Sequence, residues 1–370
     1  MIAAAPYRGL ARAVLVFLAT ITAVCGAETT PRRLLYVAVP GVRDYLEYGG
    51  HGVLVFDIDQ SHRFAKRIAT GGVDKGGKPL NVKGICASAV TGRLYVSTIK
   101  QLMCLSLEDD KILWERTYEA GCDRMSITPD GKTIYLPSLE GPIWYVVDAA
   151  SGEVVRTIKT DSGAHNTVCG RLGKYAYLAG LKSPSLRVAD TQSHDVSLVG
   201  PFSASVRPFT IDSREQRCYV NVNDLLGFEI GDLVTGKKLA SITVEGYEKG
   251  PVKRHGCPSH GIGLTPDEKE IWLTDGHNQR LHIFDATVVP PRQVHSITLR
   301  DEPGWVTFTI DGRYAYPSTG EVIETRSRRI VSQLTDEQQR AVQSEKMVEI
   351  DFRDGHPSAV GDQFGIGRAN

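Results

Sequence analysis

The sequence predicts an all-β chain folded as a seven-bladed β-propeller, with four antiparallel strands in each blade. Three observations lead to this prediction. An aromatic residue between apolar neighbours recurs seven times, with a period of roughly forty residues. Each recurrence falls within the same succession of four short strand patterns separated by polar turns. Helical periodicity is nearly absent, which excludes helical repeats and nucleotide-binding α/β folds.

The recurring aromatic residue marks the second strand of each repeat. Its seven positions are Tyr36, Tyr95, Tyr135, Tyr177, Tyr219, Trp272 and Tyr316. Asp-Gly pairs precede several of these strands, as in residues 125–132 (MSITPDGK) and 308–313 (FTIDGR). Such pairs favour tight hairpins, because glycine accepts a positive φ without steric cost. A four-stranded sheet cannot bury both faces alone, so we expect the repeats to stack radially.

Closure of the ring is predicted from the two ends of the repeat array. The first repeat begins at Arg32 with a pattern that is already a second strand, so its innermost strand is missing. Residues 346–352 (KMVEIDF) form a spare strand pattern after the seventh repeat. We expect this strand to complete blade one and to remove the open edge of the ring. Residues 336–346 are a candidate helix, but they are polar on all sides and are interpreted as a surface excursion.

The chain divides into three predicted segments: a signal peptide (1–27), the propeller (34–355) and a C-terminal tail packed on the propeller surface (356–370). Arg8 and Arg12 precede an apolar run at 13–24, and Ala27 is a small residue at the cleavage position. We therefore expect a monomer exported to the periplasm or the extracellular space, with no membrane span after cleavage. A retained anchor and a lipoprotein attached through Cys25 are the alternatives.

Charge and cysteine content narrow the function classes. The chain has 43 basic and 43 acidic residues, so it carries no net positive charge that would attract nucleic acid. Seven cysteines less Cys25 leave six, an even number that permits disulfides in an exported chain. Four of them lie inside strand patterns and are interpreted as small buried side chains. Cys122 and Cys257 each precede an innermost strand, and their pairing is left open.

Two stretches resemble the YVTN-type β-propeller repeat. They are ITPDGKTIYLPS followed by VVDAASGEVV (127–155) and GLTPDEKEIWLTD followed by HIFDA (263–286). The resemblance extends over blades two to seven and weakly over blade one. It implies a fold shared with lactonases of the 6-phosphogluconolactonase type, the methylamine dehydrogenase heavy chain and the haem d1 domain of nitrite reductase. A fold that serves such different proteins implies no single chemistry.

The candidate site is the channel mouth, where the innermost strands begin. Alignment of the repeats places six residue pairs at this position: Lys83-Gly84, Asp123-Arg124, His165-Asn166, Arg207-Pro208, His260-Gly261 and Gly304-Trp305. The lysine and the two arginines are predicted to bind a carboxylate or phosphate. The two histidines with Asp123 are candidate acid–base groups, and Trp305 is a candidate stacking surface. Alternatively, these charges pair with one another in a solvated channel.

Three functions remain open. The favoured one is a non-catalytic propeller that binds an unknown protein or a small anionic or polar ligand at the mouth, beside loops 40–51, 71–80 and 246–258. The second is a lactonase-type hydrolase that uses His165 or His260 with Asp123. The third is a subunit associated with a redox cofactor. No cofactor is predicted, because the sequence has no CxxCH haem-attachment motif and no second redox element. No metal is predicted, because His255 and His260 have no third ligand nearby in sequence.

Overall fold

The computed structural model describes residues 1–6 and 31–369, and Pro31–Asn370 forms one compact unit. The signal-peptide prediction rests on residues that lie almost entirely outside the described part. The described residues form 29 strands and two short 3-10 helices, Leu46–Tyr48 and Ile58–Gln60. None of their helices has the length and apolarity that crossing a bilayer requires.

The strands form seven antiparallel sheets arranged as the blades of a propeller, as the repeat predicts. Blade two contains β4 (Val82–Ser88), β5 (Arg93–Thr98), β6 (Gln101–Ser106) and β7 (Ile112–Thr117). Blade three contains β8 (Ser126–Ile127), β9 (Thr133–Pro137), β10 (Ile143–Asp148) and β11 (Val154–Lys159). Blade four contains β12 (Ala164–Cys169), β13 (Tyr175–Gly180), β14 (Leu186–Asp190) and β15 (Val196–Val199).

Blades five to seven follow the same order from the innermost to the outermost strand. Blade five contains β16 (Val206–Ile211), β17 (Arg217–Val222), β18 (Gly227–Asp232) and β19 (Lys237–Thr243). Blade six contains β20 (Ile262–Leu264), β21 (Glu270–Asp275), β22 (Arg280–Asp285) and β23 (Arg292–Thr298). Blade seven contains β24 (Val306–Phe308), β25 (Tyr314–Pro317), β26 (Glu321–Glu324) and β27 (Arg329–Gln333).

Blade one joins the two ends of the chain, which confirms the predicted closure. It contains β1 (Arg32–Val39), β2 (Gly52–Asp57), β3 (Arg63–Ile68), β28 (Met347–Arg353) and β29 (His356–Val360). β28 pairs antiparallel with β1, with Leu34 opposite Ile350 and Tyr36 opposite Val348. β29 adds a fifth strand beside β28, in a segment that the sequence assigns to the tail. The closing strand is therefore covered on both edges.

Seven apolar clusters hold the ring together, one between each pair of neighbouring blades. The seven repeated aromatic residues are all buried in these clusters. Apolar burial on both faces of each blade supplies the driving force that a single four-stranded sheet lacks. The six cysteines of the described chain are also buried, and all six are free thiols.

The C-terminal tail crosses the end of the channel at which the innermost strands finish. The Gln363 side chain donates to the Met125 carbonyl, and Trp305 Nε1 donates to the Gln363 carbonyl. The Gly365 carbonyl accepts from Thr210 Oγ1 at 2.6 Å and from Leu264 N at 2.8 Å. Phe364 and Ile366 are buried in the cluster between blades four and five. The tail thus contacts residues of blades three, five, six and seven.

Residues 336–346 are not helical, and the expected surface excursion is limited to the exposed turn at residues 337–340. They form turns and an isolated bridge between Thr335 and Ala341, and residues 342–346 are buried. Ser344 Oγ donates to the Ala38 carbonyl at 2.7 Å, which leads the chain into β28. The segment is polar because its last residues, Glu345 and Lys346, lie at the channel mouth, where they form ion pairs and hydrogen bonds.

Glu349 makes the closing strand sensitive to pH. Burial, reinforced by the charge of Asp351, raises the pKa of Glu349 to about 8 from 4.5. The folded chain therefore holds a proton that the unfolded chain releases, and stability falls as the pH rises from about 4.5 to about 8. We expect the melting temperature of the wild type to fall between pH 5 and 8.5 by at least about 3 °C more than that of Glu349→Gln. Equal falls in the two proteins would contradict the assignment.

Candidate functional site

The residues at the start of the innermost strands, or just before them, converge on one mouth of the channel. Arg124 of blade three bridges to Asn166 of blade four, and its side chain reaches Glu345, which precedes β28 of blade one. The ring of His165 lies 6.3 Å from that of His260, although the two residues belong to blades four and six. Residues far apart in sequence thus form a single polar cluster, as radial stacking requires.

A cavity of about 100 Å³ opens at this mouth. Its lining includes six cationic side chains, two carboxylates and three histidines. These are Arg43, Lys83, Arg124, Arg207, Arg254, Lys346, Glu140, Glu345, His165, His255 and His260. Five of the residues predicted for the site are therefore brought together here: Lys83, Arg124, His165, Arg207 and His260. The cationic excess favours a negatively charged ligand.

Asp123 lies behind the cavity and orients two of its lining residues. Its Oδ2 is 2.8 Å from Nδ1 of His165, and its Oδ1 is 3.1 Å from Nζ of Lys83. The lysine contact has ion-pair distance but lacks the alignment of a hydrogen bond. Burial alone would raise the pKa of Asp123, but the charges of Lys83 and His165 lower it. The carboxylate is thus ionised and fixes the Nδ1–H tautomer of His165.

Glu345 connects the cations on the opposite side of the cavity. Arg124 NH2 donates to Glu345 Oε2 at 2.6 Å, and Lys346 Nζ donates to the same oxygen at 2.8 Å. Burial alone would raise the pKa of Glu345, but these cations hold it well below its usual value. Burial lowers the pKa of Lys346 to about 7, and the positive charges of Arg124 and Lys83 act in the same direction. The lowered pKa of Lys346 therefore comes mainly from burial, which the charge of Glu345 opposes.

Trp305 has a different role from the predicted one. The sequence predicts a stacking surface for a ligand, but the Arg124 guanidinium covers the ring at 3.7 Å from its centroid. The indole is 2% exposed, and its nitrogen donates to the tail at Gln363. Trp305 therefore holds the Arg124 guanidinium in position by a cation–π contact, and its own ring face is not open to a ligand.

His255 enters the mouth because the insertion at 246–258 folds back over it. Glu302 accepts hydrogen bonds from the backbone amides of Lys253 at 2.9 Å and Arg254 at 2.8 Å, which anchors the loop. Gly304 permits the approach, since a Cβ there would lie 2.1 Å from His255 Cε1. The rings of His255 and His260 stack with centroids 4.6 Å apart. Burial lowers the pKa of both histidines.

Arg207 and Arg43 are the cavity arginines for which the described residues provide no carboxylate. Arg207 donates to Asn223 Oδ1 and to the Gly256 carbonyl, and Arg43 donates to the Arg254 carbonyl. Arg254 itself pairs with Asp301 at 2.8 Å. Two guanidinium charges at the mouth are thus uncompensated and available to an anion.

Buried polar atoms without partners mark the same place. Within the described chain, Arg124 NH1, His165 Nε2 and both polar atoms of the Asn166 side chain have no hydrogen bond. Leaving such an atom unpaired costs about 1–3 kcal/mol. Arg124 and His165 both line the cavity, so a molecule bound there has a donor and an acceptor to satisfy. Burial lowers the pKa of His165, which leaves its Nε2 as an acceptor.

Glu345, Lys346 and His255 line the cavity but are not among the site residues predicted from the sequence. Glu345-Lys346 precede β28 as Asp123-Arg124 precede the innermost strand of blade three. Extending the alignment to the closing strand would have added this seventh pair. His255 carries a weaker signal, since its position depends on how the insertion folds.

Comparison with known proteins identifies the fold and no family. No protein-family model and no curated protein matches the chain. Among solved structures, the dihydro-haem d1 dehydrogenase NirN in complex with DHE has 12% identity and a TM-score of 0.60, covering 89% of this chain and 72% of its own. The hydrazine synthase of Kuenenia stuttgartiensis has 13% identity and a TM-score of 0.45, covering 71% and 99%. At 12% identity the likeness to NirN extends to the propeller fold alone.

Proposed function

We propose that this chain is an exported propeller of the YVTN type that binds a small oxyanion in the channel mouth. The main support for this proposal is the composition of the cavity. Six cationic side chains line it, and Arg124 NH1 and His165 Nε2 are buried there without hydrogen-bond partners. Two of these six cations, Arg207 and Arg43, have no carboxylate partner among the described residues. An anion would supply the missing charge and the missing hydrogen bonds together.

The size of the cavity limits the ligand. At about 100 Å³ it is smaller than a cavity of about 150 Å³ that accepts benzene. Phosphate, bicarbonate or a short carboxylate fits such a volume. The structural neighbour NirN is a dihydro-haem d1 dehydrogenase by its name, and a haem is a macrocycle. A macrocycle of that size needs a pocket in the range of roughly 300–1,000 Å³. The cavity is therefore too small for a tetrapyrrole, which argues against the redox-cofactor alternative.

The hydrogen-bond pattern favours an oxyanion that keeps a proton. Asp123 fixes the Nδ1–H tautomer of His165, so Nε2 accepts from the ligand while the arginines donate to it. Hydrogen phosphate offers both a proton and anionic oxygens, whereas sulfate offers no proton near neutral pH. A buried acceptor that a ligand leaves unpaired lowers affinity. We therefore expect phosphate to bind more tightly than sulfate.

Removal of the Arg207 guanidinium tests the proposal. Charge-assisted hydrogen bonds contribute about 1.5–3 kcal/mol, so Arg207→Ala should weaken phosphate binding roughly 10- to 150-fold. Isothermal titration calorimetry of metal-free protein with inorganic phosphate measures this change. Arg329→Ala, an exposed arginine on an outer strand, is the control and should bind like the wild type. Equal affinity of Arg207→Ala and wild type would contradict the proposal.

Hydrolysis is the second candidate function, and the Asp123–His165 pair favours it. A histidine oriented by a carboxylate, with a free second nitrogen in a cavity, has the arrangement of a general base. The nearby arginines would hold the carboxylate of a lactone or ester. Turnover of such a substrate by the wild type and its loss in His165→Gln would make the binding site an active site.

A further inference from the structure

A second cluster within the channel mouth has the composition of a metal site. His255, His260 and Glu345 each offer one ligand atom, and these atoms lie within 4.8 Å of one another. The sequence separates Glu345 from the two histidines by more than eighty residues, so ligand spacing could not reveal the set. Two histidines and one carboxylate form a common protein ligand set of catalytic zinc sites.

One distance within the cluster matches the spacing of ligand atoms around a small divalent ion. His255 Nδ1 lies 3.4 Å from Glu345 Oε1, with no hydrogen bond between the two atoms. Tetrahedral zinc with bonds of about 2.0–2.1 Å separates its ligand atoms by roughly 3.3 Å. His260 Nδ1 is 2.9 Å from the Gly304 carbonyl, so it carries the proton and Nε2 has a free lone pair. A backbone carbonyl that orients the ring in this way is typical of metal-binding histidines.

The atoms of Glu345 and His255 that would not bind the ion face other side chains. Glu345 Oε2 accepts from Arg124 and Lys346, which leaves Oε1 for an ion. His255 Nε2 faces Glu302 Oε1 at 4.0 Å. We propose that His255 Nδ1, His260 Nε2 and Glu345 Oε1 bind one divalent transition-metal ion, with zinc as the best fit. Three protein ligands leave a fourth position open to the cavity.

The surrounding charge couples this metal to the oxyanion. Arg124 and Lys346 lie beside Glu345 and repel a bare dication, so the metal alone binds weakly. A phosphate dianion in the cavity would offset this repulsion, because it can bind to the open position of the metal and to the arginines at the same time. The coupling rests on the proposed oxyanion function, whereas the ligand set does not. We therefore expect phosphate to raise the affinity for zinc, and zinc to raise that for phosphate by the same factor.

Zinc titration of chelator-treated, purified protein tests the inference. Calorimetry without phosphate should give one zinc per chain, and added phosphate should tighten zinc binding at least tenfold. His255→Gln and His260→Gln should each weaken zinc binding by at least tenfold. His295→Gln, an exposed histidine on an outer strand, is the matched control and should bind like the wild type. Four-coordinate cobalt(II), seen as an intense visible absorption, should appear in the wild type even if a variant fails to fold.

The outcomes separate the two proposals. Lack of stoichiometric zinc and cobalt binding, with and without phosphate, would overturn the metal site. Zinc retained by the double variant His255→Gln/His260→Gln would also overturn it. Phosphate binding by metal-free protein is the separate readout of the proposed function. If it persists while zinc binding fails, the oxyanion site stands and the metal site falls.

Discussion

A chain that ends at residue 345 should lose the cooperative thermal transition of the full protein. Such a truncation removes β28, which pairs with β1 and carries Met347, Val348 and Ile350 into the clusters on both sides of blade one. Without this strand, β1 becomes an open edge and two of the seven interfaces between blades are incomplete. We expect an insoluble or molten chain, measured by circular dichroism during heating.

A chain that ends at residue 353 is the matched control. It keeps β28 but lacks β29 and the tail, which buries Phe364 and Ile366. We expect this chain to melt cooperatively, at a lower temperature than the full protein. The comparison isolates the closing strand from the rest of the C terminus. Melting of the two truncated chains within about 5 °C of each other would show that ring closure does not depend on β28.

Arg124→Gln should destabilise the protein by about 3–5 kcal/mol, because it removes one partner of a buried ion pair. The side chains of Arg124 and Glu345 are 3% and 7% exposed, and their contact is 2.6 Å. The substitution leaves Glu345 with Lys346 as its remaining close cation and removes the cation–π contact to Trp305. Urea denaturation at neutral pH measures the loss of unfolding free energy.

An exposed ion pair gives the control for this substitution. Arg116 and Glu153 lie 3.4 Å apart with side chains 47% and 69% exposed, so Arg116→Gln should cost less than about 1 kcal/mol. A loss at Arg124 no larger than that at Arg116 would mean that the mouth network adds little to stability. The ionised state assigned to Glu345 would then be wrong as well.

The architecture could be predicted from sequence because its cause is repeated seven times. Each aromatic residue of the repeat, such as Tyr95 or Trp272, packs in the same strand position of its blade. The incomplete first repeat and the spare strand after the seventh predicted closure to within one residue of β28. The local sequence pattern is sufficient to predict these features, because repeated units of the same structure pack against their neighbours in the same way.

The candidate site was only partly predictable, because its details depend on contacts between distant segments. The aligned pairs at the start of the innermost strands identified Asp123, His165 and Arg207, whose backbone positions follow from the repeat. The place of His255 depends on Glu302 anchoring an insertion, and the role of Trp305 depends on the tail and on Arg124. Neither contact follows the period, so sequence pattern alone could not supply it.

An anomalous diffraction map of crystals soaked in low-millimolar arsenate tests the oxyanion site most directly. Arsenate resembles phosphate in shape and protonation, and its arsenic atom can be located without bias from the protein model. We predict that the strongest peak lies in the channel-mouth cavity beside Arg207 and His165, and that it disappears in Arg207→Ala crystals. A map without a peak at the mouth, or with arsenic bound elsewhere on the propeller, would contradict oxyanion binding there.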